Sequence, residues 1–263
     1  MGRMMLVLLL VWTGAVWSAT YYIDYETGND TATGLTKQTA WKCHPFMAGF
    51  TGAYTFHAGD IYILKGGVTW PNAAFPLVIQ NAWNKEYSGL DTAWNIVTVD
   101  RSWYSGATWT RPVFDLERIP PAKPIQLTGH TNWLYYWKFE QLEIKNHYCN
   151  GFAQGAFAIS AAEHILIRNC YIHDWKPDSI DHKYGGVICN GARDVTVDSC
   201  VIHGAEVAGY PGLYSGFGTY NVPTVSLAQV TGKHYEQCWV KDFIYNPIVY
   251  GIGYPFYQLD LAK

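Results

Sequence analysis

The chain has 263 residues, a net charge of −3 and an aromatic content of 16%, including 12 Trp and 20 Tyr. Its 18 basic and 21 acidic residues form no basic stripe, which excludes nucleic acid as an expected partner. The six cysteines contain no CxxC pair, which argues against a zinc site.

The first element is an apolar segment at the amino terminus. A single arginine precedes an apolar run from Met4 to Trp12, and small residues follow it, as in a secretory signal peptide. The run is shorter than the about 20 residues of a membrane-spanning helix. We therefore expect cleavage after Ser18, no membrane span in the mature chain, and a secreted or cell-surface protein. Residues 19–263 are predicted to form one domain.

The next part of the chain is predicted to consist of short strands, and no stretch of it resembles a long amphipathic helix. Residues 40–50 are the best helical candidate. Short β-rich runs separated by turn residues predict strands, and they cover residues 59–70, 75–83, 95–100, 111–116 and 124–129.

An internal repeat follows. The segment FAISAAEHILIRNCYIHD (157–174) aligns without a gap to VICNGARDVTVDSCVIHG (187–204), a shift of thirty residues. WKFEQLEIKN (137–146) and YEQCWVKD (235–242) fit the second half of the unit. The slot held by Cys170 is then occupied in turn by Leu142, Cys170, Cys200 and Cys238.

Each repeat unit predicts three short strands. Apolar residues alternate through residues 157–160, 165–168 and 170–173, and a period of two indicates β-strands. A four-residue join, AAEH or GARD, connects the first pair, and one polar residue turns the corner to the third. Stacking equivalent strands in parallel would bury the inward residues. The predicted inward ladders are Phe157 over Val187, Ile159 over Cys189, Ile167 over Val197, and Ile172 over Ile202.

The outward residues predict further ladders. Glu140, Arg168, Asp198 and Glu236 would form salt bridges, while Gln141, Asn169, Ser199 and Gln237 would turn the corner. Parallel side chains in a ladder hold Cys170 and Cys200 near the 4.8 Å strand spacing, beyond the about 3.5–4.5 Å that a disulfide requires between Cβ atoms. We therefore expect free, buried thiols.

These features resemble a known family. The opening YYIDYETGNDTATGLTKQTAWK (21–42), the AGDIYILKGG block, RPVFD and the repeated coils are similar to secreted right-handed parallel β-helix proteins of the pectate-lyase-like superfamily. The resemblance covers nearly all of the mature chain and implies an all-β solenoid with an amino-terminal cap. It implies activity less specifically, because members include polysaccharide lyases, glycoside hydrolases, epimerases and adhesins.

The resemblance also implies where a ligand would bind. In the superfamily it usually lies along the outer face of the first strand of each coil, here Gln126, Ala158 and Ile188, with Thr128, Ser160 and Asn190 near the strand ends. This row carries no charge. A lyase requires a base and a cation, and a hydrolase requires paired carboxylates, so the empty row argues against catalysis there.

The charged candidates lie in the loops instead. Asp174, Asp178 and Asp181 could bind Ca²⁺ through carboxylate oxygens, and Lys183 or His182 could act as the base; a solvated loop is the alternative. His173 and His203 share an outward slot with Lys145 and Lys241 and could share a proton or a metal, or be structural. Trp175, Tyr210, Tyr214 and Tyr220 are candidates for stacking on sugars.

Two functions remain open from the sequence. The first is a carbohydrate-active enzyme, above all a lyase that cleaves an acidic polysaccharide by β-elimination. The second is a non-catalytic glycan-binding or structural protein of the cell surface or matrix. The carboxyl end shows no polar cap, so a partner or further coils are expected to cover it.

Overall fold

A computed structural model describes residues 18–83, 85–119, 124–149, 155–177, 184–203, 215–220, 239–240, 243–244 and 248–250. The strands in chain order are β1 (Thr20–Ile23), β2 (Ile61–Gly66), β3 (Thr69–Pro71), β4 (Leu77–Gln80), β5 (Asn95–Tyr104), β6 (Val113–Asp115), β7 (Ile125–Thr128), β8 (Leu134–Glu140), β9 (Glu143–Lys145), β10 (Tyr148–Cys149), β11 (Phe157–Ser160), β12 (Ala162–Arg168), β13 (Tyr171–His173), β14 (Lys176–Pro177), β15 (Tyr184–Asn190), β16 (Arg193–Asp198), β17 (Val201–His203), β18 (Ser215–Tyr220), β19 (Trp239–Val240), β20 (Phe243–Ile244) and β21 (Ile248–Tyr250).

Three parallel sheets run the length of the described chain. Sheet 1 has the order β18-β15-β11-β7-β4, sheet 2 the order β1-β2-β5-β8-β12-β16, and sheet 3 the order β21-β17-β13-β9-β6-β3. Successive strands of one coil enter sheets 1, 2 and 3 in turn, and each strand pairs with its equivalent in the next coil. This confirms the predicted all-β solenoid, a parallel β-helix with three strands per coil.

The predicted register is confirmed in every inward ladder. Phe157 pairs with Val187 and Ile159 with Cys189 in sheet 1, Ile167 with Val197 in sheet 2, and Ile172 with Ile202 in sheet 3. All eight side chains are buried. Fully burying one aliphatic side chain contributes about 1.5–3 kcal/mol, so these ladders are a main source of stability.

One hydrophobic cluster fills the interior from Tyr21 to Ile202. Its amino-terminal part is aromatic: Tyr62 stacks on Trp137 with ring centroids 6.0 Å apart, and Trp41 stacks on Tyr21 at 4.5 Å. The later coils are filled mainly by Ile, Val and Cys. Much of the high aromatic content is therefore core packing.

The cysteine and corner predictions are also confirmed. Cys170 and Cys200 are free and buried, and the Cys170 amide donates to Cys200 Sγ at 3.4 Å. Gln141, Asn169 and Ser199 turn the corner between sheets 2 and 3 with φ of 62°, 53° and 53°.

Residues 40–50, the best helical candidate in the sequence, do not form a helix. This segment forms turns and isolated bridges, and the helices among the described residues are the short 3₁₀ turns Lys37–Thr39 and Asn72–Ala74. The Asp30 carboxylate accepts hydrogen bonds from the amides of Lys42, Cys43 and Thr51. These long-range bonds replace the local ones that a helix would form. Across the residues that the structure describes, no helix is long and apolar enough to span a membrane.

The predicted slot for Lys241 is also wrong. β17 pairs with β21, which sets His203 opposite Tyr250, while Trp239–Val240 forms an antiparallel pair with Phe243–Ile244. The short match of YEQCWVKD to the repeat therefore reflects local sequence and not the stacking. Cys238, Glu236 and Gln237 lie outside the described residues.

Candidate functional site

The corner between sheets 1 and 2 has an unusual backbone. Ala162 and Ile165 both point inward, with Glu163 and His164 between them, whereas a regular strand alternates at every residue. His164 adopts a left-handed φ of 58°, which allows Ala162 and Ile165 both to point inward. Such a conformation costs a non-glycine residue about 1–3 kcal/mol and clusters at functional sites. The four-residue join predicted here is thus mostly strand, with one displaced residue.

Neighbouring coils repeat this displacement. Tyr136 has φ of 59° and Asp194 has φ of 45°. Glu163 pairs with Tyr135 on one side and with Arg193 on the other, and Ile165 pairs likewise with Trp137 and Val195. Tyr136, His164 and Asp194 are consequently equivalent positions of three successive coils, and they form a ladder parallel to the stacking axis.

The side chains of this ladder contact one another. The Tyr136 ring stacks on the His164 imidazole with centroids 4.6 Å apart and planes at 12°. On one side, Trp94 meets Tyr136 edge to face at 5.4 Å. On the other, His164 Nδ1 lies 2.5 Å from Asp194 Oδ2. The pKa of the Tyr136 hydroxyl is raised, with desolvation as the largest cause and the negative charges of Asp91, Glu163 and Asp194 as smaller ones. The hydroxyl is therefore neutral.

A second row of side chains lies beside the ladder. The Arg193 guanidinium lies 3.9 Å from the centroid of the Trp133 ring, and its Nη2 atom is 3.6 Å from Glu163 Oε2. The other oxygen of Glu163 is 3.9 Å from His164 Nε2. Side chains of Arg193 and Asp194 are 41% and 43% exposed, so these charges are within reach of a ligand.

The same corner also carries the most exposed large aromatic side chain of the described residues. Trp83 is 81% exposed and lies 5.8 Å from the His130 ring. The Asn81 side chain donates to the Trp133 carbonyl at 2.9 Å, which ties this segment to the corner. We define the corner surface as Trp83, Trp94, His130, Trp133, Tyr135, Tyr136, Glu163, His164, Arg193 and Asp194.

His173, a predicted catalytic residue, is enclosed. Its Nδ1 lies 2.8 Å from Asp174 Oδ2 and its Nε2 lies 3.2 Å from Glu143 Oε1, and the Tyr171 ring stacks on it at 3.9 Å. Burial lowers the pKa of His173, but the hydrogen bonds to Glu143 and Asp174 outweigh burial and raise it. The predicted outward slot of His173 is confirmed by its pairing with Lys145 and His203, but neighbouring side chains cover the ring and leave it 8% exposed.

The backbone pairs His173 with Lys145 and with His203, as the repeat predicts. Only the backbone of His203 is described, and the same holds for Tyr220 in β18. The Asp174 carboxylate is engaged by His173. Among the residues whose side chains are described, no group of three or more His, Cys, Asp or Glu is arranged to bind a metal ion.

Trp175 does not occupy the position of a sugar-binding residue. It is fully buried and its ring lies 5.9 Å from His147. A ring enclosed on all sides presents no face to a sugar, so we correct the prediction and assign Trp175 to the core. The remaining predicted residues lie outside the described residues: Asp178, Asp181, His182, Lys183, Tyr210 and Tyr214.

The face of sheet 1, where the resemblance placed a ligand, is partly covered. Ile188 points away from the core in register with Ala158 yet is only 1% exposed, and a Cβ on Gly155 would lie 3.0 Å from its side chain. The segment that enters β11 therefore lies over this row. The corner beside it remains accessible.

Sequence reasoning missed the corner surface because it assigned AAEH and GARD to a loop. A signal was present: Tyr136, His164 and Asp194 recur at intervals of 28 and 30 residues, the same intervals as Leu142, Cys170 and Cys200. What the pattern could not reveal was the left-handed backbone that turns these side chains outward.

Comparison with known proteins identifies no family for this chain and one distant structural similarity. No protein-family model matches the chain, and no curated protein matches it. A solved structure of a rhamnogalacturonan lyase aligns with this chain at 14% sequence identity and a TM-score of 0.37. The alignment covers 78% of this chain and 63% of the lyase chain. The chain thus spans less than two thirds of that structure. These values do not assign the chain to a family.

Proposed function

We propose that the chain is a secreted, carbohydrate-active β-helix protein that binds an acidic polysaccharide along the corner surface. The observation that supports this is the ladder of Trp94, Tyr136, His164 and Asp194, contributed by successive coils in one row. Coils repeat about every 4.8 Å along the axis. A polymer that repeats along its length is the class of ligand that such a row matches.

The chemistry of the corner surface fits sugars. The exposed indole of Trp83 offers a flat apolar face, on which the apolar face of a sugar ring can stack. The Arg193 guanidinium can form charge-assisted hydrogen bonds with a uronate carboxylate. Carboxylates and tyrosine hydroxyls of the same surface can bind sugar hydroxyls.

Binding can be measured with immobilised pectate, alginate and chondroitin. We expect the full chain to bind at least one of them, and Trp83→Ala to weaken binding about five- to tenfold through lost stacking. Tyr104→Ala is the matched control, because Tyr104 is an exposed aromatic residue of β5 outside the corner surface. Absence of binding to all three, or equal weakening by both variants, would contradict the proposal.

A second candidate function, polysaccharide lyase, is favoured by the His164–Asp194 pair. An Asp194 carboxylate that accepts the Nδ1 proton leaves the Nε2 lone pair free to act as a general base. In β-elimination, Nε2 would take the proton beside the uronate carboxylate. The electron pair of that bond would form the carbon–carbon double bond as the C–O bond to the leaving sugar breaks. The leaving oxygen keeps the electrons of the C–O bond and takes a proton from water. Arg193 would stabilise the charge that develops on the carboxylate.

The lyase candidate is tested by following the ultraviolet absorbance of the unsaturated product on the same three polymers. His164→Gln is expected to abolish product formation and retain binding, while Tyr104→Ala, which lies outside the corner surface, retains both. If the wild-type chain forms no product and leaves the polymer length unchanged, elimination is refuted and glycan binding alone stands.

Calcium and secretion are further parts of the proposal. Ca²⁺ would be bound by the carboxylates of Asp174, Asp178 and Asp181, which follow one another closely in the sequence. We expect a chelator to reduce polymer binding or product formation. Secretion predicts that the exported protein begins at Ala19, which amino-terminal sequencing determines. An unprocessed amino terminus in the exported protein would contradict it.

A further inference from the structure

A concave cavity of about 550 Å³ lies between the amino-terminal segment and the loop that follows β4. Small-molecule sites usually have volumes of about 300–1,000 Å³. Five aromatic rings contribute to its lining: Phe46, Phe50, Tyr54, Phe56 and Tyr87. Flat apolar faces of this kind suit the apolar faces of sugar rings.

The aromatic wall is held in place by contacts behind it. The Tyr54 hydroxyl donates to Asp60 Oδ2 at 2.6 Å and also hydrogen-bonds with the Tyr62 hydroxyl. Phe46 packs edge to face against Tyr54 at 5.8 Å and against Tyr87 at 4.8 Å. A ligand would therefore meet a preformed wall, which reduces the ordering cost of binding.

Two charged side chains lie at the edge of the cavity. Lys85 and Glu86 line it, both are exposed, and neither forms an ion pair with another described residue. An ammonium group and a carboxylate together donate to and accept from adjacent hydroxyls, which a sugar supplies. The carboxylates of the corner surface are paired, Glu163 with Arg193 and Asp194 with His164. Glu86 has no such partner among the described residues and opposes an anionic ligand, so an uncharged sugar fits better than a uronate.

One loop, described at residues 81–83 and 85–94, joins the cavity to the corner surface. Tyr87 lines the cavity while its carbonyl accepts from Trp137 Nε1 at 2.6 Å. Two residues further on, the Gly89 amide donates to the Tyr135 carbonyl at 2.8 Å. The same loop carries Trp83 and Trp94 of the corner surface. A glycan chain on the corner surface therefore has a neighbouring recess formed partly by the same segment.

We propose that this cavity binds a single uncharged pyranose unit of the glycan that the corner surface holds. The inference rests on the proposed function, since it takes the ligand to be a glycan. It adds to that function a recognition site for a neutral sugar beside the binding surface for an acidic polymer.

The test uses the full chain and four tetrasaccharides that end in glucose, galactose, mannose or galacturonic acid, with affinity measured by calorimetry. We expect at least one neutral-ended tetrasaccharide to bind, and Lys85→Met and Glu86→Gln each to weaken it about tenfold, as for a lost hydrogen bond to a charged group. Glu117→Gln is the matched control, because Glu117 is likewise exposed. Circular dichroism confirms that each variant is folded.

The outcomes separate the cavity from the corner surface. If Lys85→Met and Glu86→Gln weaken the neutral-ended ligand while Trp83→Ala weakens the polymer, both proposals are supported. Binding of no neutral-ended tetrasaccharide, or binding that Lys85→Met and Glu86→Gln leave unchanged, overturns the cavity proposal. In either case polymer binding that still depends on Trp83 leaves the proposed function intact.

Discussion

His173 is held between two carboxylates, and each ring nitrogen faces one of them. Nδ1 lies 2.8 Å from Asp174 and Nε2 lies 3.2 Å from Glu143. A ring that donates to a carboxylate from both nitrogens must carry both protons and hence a positive charge. The nearby Lys145 cation is itself paired with Asp115 at 3.6 Å. The arrangement therefore stabilises imidazolium and gives His173 a structural role.

This geometry predicts a pH-dependent stability. The pKa of His173 is raised above its ordinary value of 6.5, so the folded chain holds the proton more tightly than the unfolded chain. The free energy of unfolding should be highest below the ordinary pKa and should fall as pH rises through the raised pKa. Urea denaturation across this pH range measures it.

The control for this prediction is His173→Gln, which removes the titrating group and should flatten the pH profile. His130→Gln changes an exposed histidine and should leave the profile as it is. A profile that His173→Gln does not alter would show that another group is responsible.

Residues at the corner after each strand of sheet 1 limit how closely successive coils stack. Gly129, Ala161 and Gly191 follow equivalent strands of sheet 1, and Ala161 and Gly191 have φ of 46° and 63°. A Cβ on Gly129 would lie 2.2 Å from the Ala161 carbonyl oxygen. Only glycine fits there without displacing the next coil.

Gly129→Ala is therefore expected to lower the free energy of unfolding by about 1–3 kcal/mol, the usual cost of overpacking. Ala161→Gly is the matched substitution one coil on and should change it by less than about 1 kcal/mol, because glycine favours a left-handed φ. Urea denaturation measures both. Equal effects of the two substitutions would show that the contact at residue 129 does not constrain the stack.

One hydrophobic core connects the coils from Tyr21 to Ile202. Cys43 lies near its amino-terminal end, and Cys189 and Cys200 lie near the other; all three thiols are free and buried. Burial, the largest cause in each case, raises the pKa of Cys43 to about 12 and the pKa of Cys200 well above its ordinary value. The native thiols should be nearly unreactive, because the thiolate is the nucleophile.

Thiol labelling in increasing urea tests whether this core unfolds as one unit. We expect Cys43, Cys189 and Cys200 to become reactive at the same urea concentration, and to react fully without reductant. Peptide mass spectrometry assigns the labelled sites. Earlier labelling of Cys189 and Cys200 would indicate that the later coils unfold separately, as in solenoids with weak coupling between repeats; unlabelled Cys170 and Cys200 in the denatured chain would indicate a disulfide.

Local patterns in the sequence were enough to predict the architecture of the chain. Alternation of apolar residues and a repeat interval near thirty are local properties, and together they predicted the strands, the inward ladder of Ile172 over Ile202, and the free thiols. Which outward side chains contact one another became clear only from the packing of the coils. His173 is enclosed by contacts from other segments, and His164 reaches the corner surface through a left-handed backbone angle. Neither can be inferred from side-chain alternation, because both depend on how neighbouring coils pack.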